Sequence, residues 1–124
     1  MIASLRDEPG AGVVETLLTS GTDTCMAHAI NLCEVYYDFF RSADEPTARS
    51  AIADLEDLGL IAREDMDRTF WQEIGRYKPT NRASLADCTA KTLANRVGGE
   101  LATSDHHEFD SIAAAGVCRV RFIR

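Results

Sequence analysis

The chain has 124 residues, a length that suits one domain able to bury a core without disulfide or metal staples. Its 45% hydrophobic and 27% charged residues are ordinary for a globular protein, and a formal net charge of -7 argues against broad adhesion to nucleic-acid phosphates, though not against a metal-dependent enzyme with a local basic patch. Asp7, Glu8 and Pro9 interrupt any N-terminal apolar run, and no stretch approaches the roughly 20 apolar residues of a membrane span, so neither a signal peptide nor a membrane segment is expected and the reading is cytoplasmic.

Met1 to Leu5 is short and apolar, and Asp7-Glu8-Pro9-Gly10 breaks it with turn chemistry. Ala11 to Leu18 reads as a helix with Val13, Val14, Leu17 and Leu18 on one face. Thr24 to Ala27 is a short strand. The most strongly patterned helix follows, Ala29 to Ser42, where Leu32, Val35, Tyr36, Phe39 and Phe40 recur at helical spacing and read as core. Asp44-Glu45-Pro46 opens another helix, through Leu58, that stops at Gly59. Leu60 to Arg63 is a strand. Asp65 to Tyr77 is a helix with Phe70, Trp71, Ile74 and Tyr77 as its apolar residues, and Lys78 to Arg82 is a loop.

Ser84-x-x-Asp87 opens the next helix, which runs through Arg96 and is stopped by Gly98-Gly99. A short strand, Gly99 to Ala102, leads into the polar turn Thr103-Ser104-Asp105-His106-His107-Glu108. A helix over Phe109 to Ala115, a turn at Gly116 and a last strand, Val117 to Ile123, complete the chain. Helices alternate with strands throughout, which predicts an α/β fold with a mainly parallel sheet. Cys25, Cys33, Cys88 and Cys118 form no C-x-x-C pair and read as reduced, small hydrophobes rather than zinc ligands.

Three carboxylates have unusual placements. Glu34 lies inside an apolar helix, with Asn31 one turn before it on the same face. Asp87 lies in the first turn of a helix, and Asp105 lies at a strand's end, where sites form in open α/β sheets. Each also has a local explanation: an ion-paired helix residue for Glu34, and helix capping for Asp87 with Ser84 and for Asp105 with Glu108. If the three converge, their repulsion calls for a hard cation such as Mg²⁺ or Mn²⁺. The residues alone leave cap and ligand both open.

The segments Asn31-Leu32-Cys33-Glu34-Val35-Tyr36-Tyr37, Ser84-Leu85-Ala86-Asp87-Cys88-Thr89-Ala90 and Leu101-Ala102-Thr103-Ser104-Asp105 occur in that order. Together they resemble the PIN domain, and within it the VapC-like ribonuclease toxins of bacterial toxin–antitoxin pairs. The likeness covers nearly the whole chain. It implies a single three-layer domain over residues 1–124, with a mainly parallel central sheet flanked by helices. It also implies a Mg²⁺- or Mn²⁺-dependent endoribonuclease whose acidic site is Glu34, Asp87 and Asp105. Thr103 would be a hydroxyl partner, Asn31 would support the site, and Asp110 is a further acidic candidate, though a surface helix residue is the plainer reading. The implied partners are RNA, a cognate antitoxin protein and a second copy of the chain.

The family pattern begins with an apolar strand ending in an Asp, followed by a helix. Here Met1 to Gly10 resembles the end of that helix, so the expectation is a chain lacking the first strand and its carboxylate. Lys78, Arg82 and Lys91 are the cations expected to attract RNA phosphates, with an i, i+4 pair to Asp87 the competing account of Lys91. His106 and His107 are read as exposed turn histidines before proton donors. A catalytically impaired relative is the rival reading. Such a protein would bind a protein partner through the aromatic helix around Tyr36 to Phe40 or through Phe70-Trp71.

Overall fold

Side-chain caps decide where most helices of this chain begin. In the computed structural model, which describes residues 6–80 and 82–124, the chain divides between Arg63 and Glu64 into two compact units. The expected apolar segment Met1 to Leu5, and Asn81 of the expected loop, lie outside the described residues.

In the first unit, α1 spans Ala11–Thr19, β1 Met26–His28, α2 Ala29–Ser42, α3 Glu45–Asp57 and β2 Ile61–Arg63. His28, buried, caps α2 through Nδ1, which accepts the Ile30 amide at 3.1 Å. Asp44 caps α3 by accepting the Thr47 amide at 2.8 Å, and Pro46 sits in the first turn, where its missing N–H leaves no bond unmade. α2 and α3 pack as a hairpin. Gly59 turns the chain from α3 into β2 with φ of +104°, and a Cβ there would stand 3.4 Å from the Leu18 carbonyl oxygen. Glycine therefore answers both a left-handed turn and a close approach. β1 and β2 pair in parallel, with Met26 opposite Ile61 and His28 opposite Arg63.

The α2 aromatic run is only partly core. Val35 is buried and Leu32, Tyr36 and Phe39 are half-buried, but Phe40 is 51% exposed, which corrects the expectation for that residue. Phe40 lies in the last turns of α2 and stacks on Tyr36, ring centroids 6.4 Å apart. The Tyr36 hydroxyl in turn donates to Glu45 Oε1 at 2.9 Å. Of the cysteines, Cys88 and Cys118 are buried and Cys25 half-buried, as small hydrophobes should be, whereas Cys33 is exposed.

In the second unit, α4 spans Arg68–Tyr77, a 3₁₀ turn Lys78–Thr80, α5 Leu85–Val97, β3 Leu101–Thr103, α6 His106–Ala114 and β4 Val120–Phe122. α5 begins on the expected Ser84–Asp87 box and ends on Gly98 in the left-handed conformation, φ 67°. β3 and β4 pair in parallel, Leu101 opposite Val120 and Thr103 opposite Phe122. Phe109, Ile112, Cys118 and Ala94 form a buried cluster, flanked by Tyr77, Leu101, Val120 and Phe122. The α/β class and the parallel pairing are as expected. Among the described residues the strands pair in two two-stranded sheets, one per unit. Each strand is three residues long and pairs with one neighbour.

α4 starts three residues later than expected, at Arg68. Asp67 becomes its cap, accepting the Phe70 amide at 3.1 Å, while its carboxylate also receives the Arg96 guanidinium, 2.8 Å from Nη2 to Oδ1. Arg96 reaches Asp65 as well, at 3.1 Å, and lies over the Phe70 ring, 4.9 Å from its centroid. The Arg96 guanidinium, with the Phe70 amide second, holds the Asp67 carboxyl well below the ordinary carboxylate range. A carboxyl depressed in the folded state contributes stability that is full above its unfolded value near 3.8 and is lost as pH falls below it. Asp67→Asn keeps the cap and removes the charge. In urea titrations at pH 7 and pH 2.5, the variant should be the less stable protein at pH 7 and should lose less stability on acidification. Parallel losses in the two proteins would mean that the ion pair contributes nothing.

Candidate functional site

The Asp105 turn is built from short-range bonds on both sides of the residue. The Thr103 hydroxyl oxygen accepts the Asp105 amide at 3.1 Å, and Asp105 Oδ1 accepts the Glu108 amide at 3.1 Å, capping α6. The turn follows the carboxyl end of a parallel strand and opens a helix, which sets a carboxylate beside helix N–H groups. Thr103 thus stands beside Asp105, its hydroxyl oxygen bonded to the Asp105 backbone amide.

His106 locks the far side of this turn. Its ring stacks on Phe122, centroids 4.0 Å apart and planes 11° apart. Nδ1 meets Asp110 Oδ1 at 3.0 Å and Nε2 meets the Arg124 carbonyl oxygen at 2.7 Å. The Arg124 carbonyl first, and Asp110 second, raise the His106 pKa above the ordinary histidine value. With both ring nitrogens engaged, His106 braces the turn. Asp110 is exposed and serves as the other half of that contact. His107 is the more exposed histidine of the pair, its side chain 83% exposed with Nε2 3.9 Å from Glu108 Oε1.

Asp87 closes the capping box at the start of α5. Its Oδ2 accepts the Ser84 hydroxyl at 2.7 Å and the Ser84 amide at 3.1 Å, while Ser84 Oγ accepts the Asp87 amide at 3.0 Å. One turn on, Lys91 is buried, and its ammonium sits 3.7 Å from the centroid of the Tyr77 ring. It borders a shallow pocket of about 240 Å³ between α4 and α5, whose other walls include Glu73, Asn95 and Arg96. Lys78 and Arg82, the other two cations expected at phosphate, are exposed. Burial pushes the Cys88 and Cys118 thiols up, which marks them as packing groups rather than nucleophiles.

Glu34 and Asn31 are half-buried on α2 of the first unit, and Asp87, Thr103, Asp105 and Asp110 belong to the second. Capping engages one named oxygen of each second-unit carboxylate, Oδ2 of Asp87 and Oδ1 of Asp105. Within neither unit do three His, Cys, Asp or Glu side chains of the described residues gather as a metal cage. Their carboxylates are oxygen donors, the type that hard divalent cations take in preference to soft metals.

One surface pair escaped the sequence reading, which grouped Trp71 with the apolar residues of its helix. Phe70 is buried, but Trp71 is 45% exposed, and the Arg68 guanidinium lies 5.7 Å over its ring. The signal was present: an Arg three residues before the chain's single Trp, one turn away on the same helix.

Comparison with protein-family models matches residues 1–115 to the PIN domain. No curated protein and no solved structure matches the chain significantly.

Proposed function

The chain belongs to the PIN domain family, whose members are nuclease-type proteins, and from that membership we propose that it is a Mg²⁺- or Mn²⁺-dependent endoribonuclease, the toxin of a toxin–antitoxin pair, acting as one domain over residues 1–124. The observation that carries the reading is the Asp105 turn: a carboxylate at the end of a parallel strand, braced by Thr103 before it and by a helix N-terminus after it.

Glu34, Asp87 and Asp105 would hold the ion. When bound, such an ion supplies Lewis-acid polarisation of the phosphodiester and activation of the attacking water. The chain's own groups do the rest. Ser84 fixes the Asp87 carboxylate through two hydrogen bonds, so that it does not have to reorganise on binding. Thr103 fixes the Asp105 backbone in the same way. Asn31, one turn before Glu34 on α2, supports that carboxylate, and Asp110 adds negative charge on the first turns of α6. Lys78 and Arg82 attract phosphates from exposed positions, while Lys91 offers its charge from a buried one.

The test is RNA cleavage in Mn²⁺ against the same reaction in EDTA, with calorimetric titration of Mn²⁺ alongside. Cleavage that needs Mn²⁺, together with Mn²⁺ binding, supports the reading. Equal cleavage in EDTA sinks it.

A specific observation keeps the second reading in play, that of an impaired PIN-like protein that binds a protein partner, whether antitoxin or second copy. Tyr37 and Phe40 both stand 51% exposed on α2. Absence of Mn²⁺ binding at millimolar metal favours it. Among the described residues no helix is long and apolar enough to cross a membrane. A cytoplasmic site of action is part of the same proposal.

A further inference from the structure

We propose that the outer face of α4 is a docking strip for single-stranded RNA, in which Trp71 stacks on a base while Arg68, Lys78 and Arg82 take neighbouring phosphates. The choice of RNA rests on the ribonuclease reading above; the strip itself rests on four observations.

The first is burial. α4 turns Phe70 and Ile74 into the interior and leaves Arg68, Trp71 and Gly75 on the outside. Spacings of three and seven residues put these three on one stripe of the helix. The second is the open ground beside the indole. A Cβ at Gly75 would meet nothing within 4 Å, so no neighbouring side chain roofs the stripe there.

The third is charge. The chain carries a net charge of -7, yet from residue 68 to residue 86 its charged residues are Arg68, Arg76, Lys78 and Arg82 against Glu73 alone. Glu73 is paired with Arg76, and among the described residues no carboxylate forms an ion pair with Arg68, Lys78 or Arg82. An acidic protein that must hold a polyanion needs such a cationic segment. The fourth is the company Trp71 keeps. Its exposed neighbours on the stripe are Arg68 and Gly75, so a guanidinium stands over the ring on one side and no side chain covers it on the other. A flat aromatic ring flanked by cations is the recognition chemistry of unpaired bases on a phosphate backbone. A duplex hides its base faces and gives Trp71 nothing to stack on, so it binds the strip less tightly.

Trp71 is the only tryptophan, so its emission reports on the strip directly. The experiment uses the full chain in EDTA, where the RNA stays intact, with a labelled oligouridylate of about 12 nucleotides. Addition of the single strand should quench Trp71 emission, and a duplex should not. In anisotropy titrations, Trp71→Ala should weaken binding about ten-fold, with Trp71→Phe recovering most of it. Arg68→Ala, Lys78→Ala and Arg82→Ala should each reduce the slope of log affinity against log salt by about 0.7. All four positions are exposed, and melting curves check that each variant is folded.

The proposal is overturned if folded Trp71→Ala binds the single strand as tightly as wild type, or if the duplex binds and quenches equally. In the first case Trp71 is left as a protein contact. The two readings fail separately. RNA binding that depends on Trp71 without Mn²⁺-dependent cleavage overturns the nuclease and keeps the strip. Mn²⁺-dependent cleavage with KM unchanged in Trp71→Ala does the reverse.

Discussion

Asp87→Asn is expected to reduce Mn²⁺-dependent RNA cleavage by roughly 100-fold or more, the scale on which loss of one charge-stabilising group slows a hydrolytic site. The substitution is informative because Asp87 has two jobs that can be separated. As a cap it accepts the Ser84 hydroxyl and amide through Oδ2. An Asn carbonyl oxygen accepts the same two bonds, so the fold should survive with a change of no more than about 1 kcal/mol. As a metal ligand it supplies charge, and Asn supplies none.

Ser84→Ala makes the opposite cut. It removes the hydroxyl that closes the box, at about 1 kcal/mol of stability, and leaves the carboxylate in place. If Asp87 is a ligand, Asp87→Asn loses cleavage and keeps its melting temperature, whereas Ser84→Ala loses some melting temperature and keeps cleavage to within a few-fold. If capping is all Asp87 does, cleavage follows stability in both variants. Single-turnover rates read beside thermal melts separate the two outcomes.

Phe109→Ala is expected to be the most destabilising single change in the second unit, costing about 3–5 kcal/mol through lost burial and the cavity left behind. Phe109 is 2% exposed and belongs to the cluster with Ile112, Cys118 and Ala94. That loss is a large share of the roughly 5–15 kcal/mol by which a domain is stable, so urea midpoints should fall steeply or the unit should fail to fold. The effect bears on the site because the Phe109 ring anchors the first turn of α6, the helix that Asp105 caps. Phe109 therefore pins the helix whose cap is Asp105. Phe109→Leu, which retains most of the volume, should cost less than about 1.5 kcal/mol. An Ala variant as stable as the Leu variant would mean that the cluster closes over the gap.

Much of the local structure was legible because its cause lies within a few residues. Asp44 with Pro46, Ser84 with Asp87, and the glycines at 59 and 98 set helix ends through hydrogen bonds and φ values spanning no more than one turn. The alternation of helix and strand predicted parallel pairing, and both pairs are parallel. Asp105 as the first residue of a turn that caps a helix was readable for the same reason.

Partners distant in sequence were not legible. Asp65 to Tyr77 looked like one helix, and nothing local showed that Asp67 and Asp65, ahead of its first turn, pair with Arg96, 29 and 31 residues away. His106 is exposed, as expected of a turn histidine, but nothing local showed that its ring nitrogen reaches a carbonyl 18 residues on. Lys91 looked like a phosphate-attracting cation or a partner of Asp87, and nothing local showed that it is buried with its ammonium over Tyr77. Phe70 and Trp71 are adjacent and both apolar in kind, yet one is core and the other is surface.

The sequence by itself determined the family, the order of the elements and most of the caps. Only the tertiary structure decided which aromatic of a neighbouring pair is buried, which cation is displayed and what braces the Asp105 turn. The division has one physical reason. A cap or a glycine turn is chosen by bonds among residues already held close by the chain. Burial and long-range pairing depend instead on surfaces that exist only once distant segments have come together.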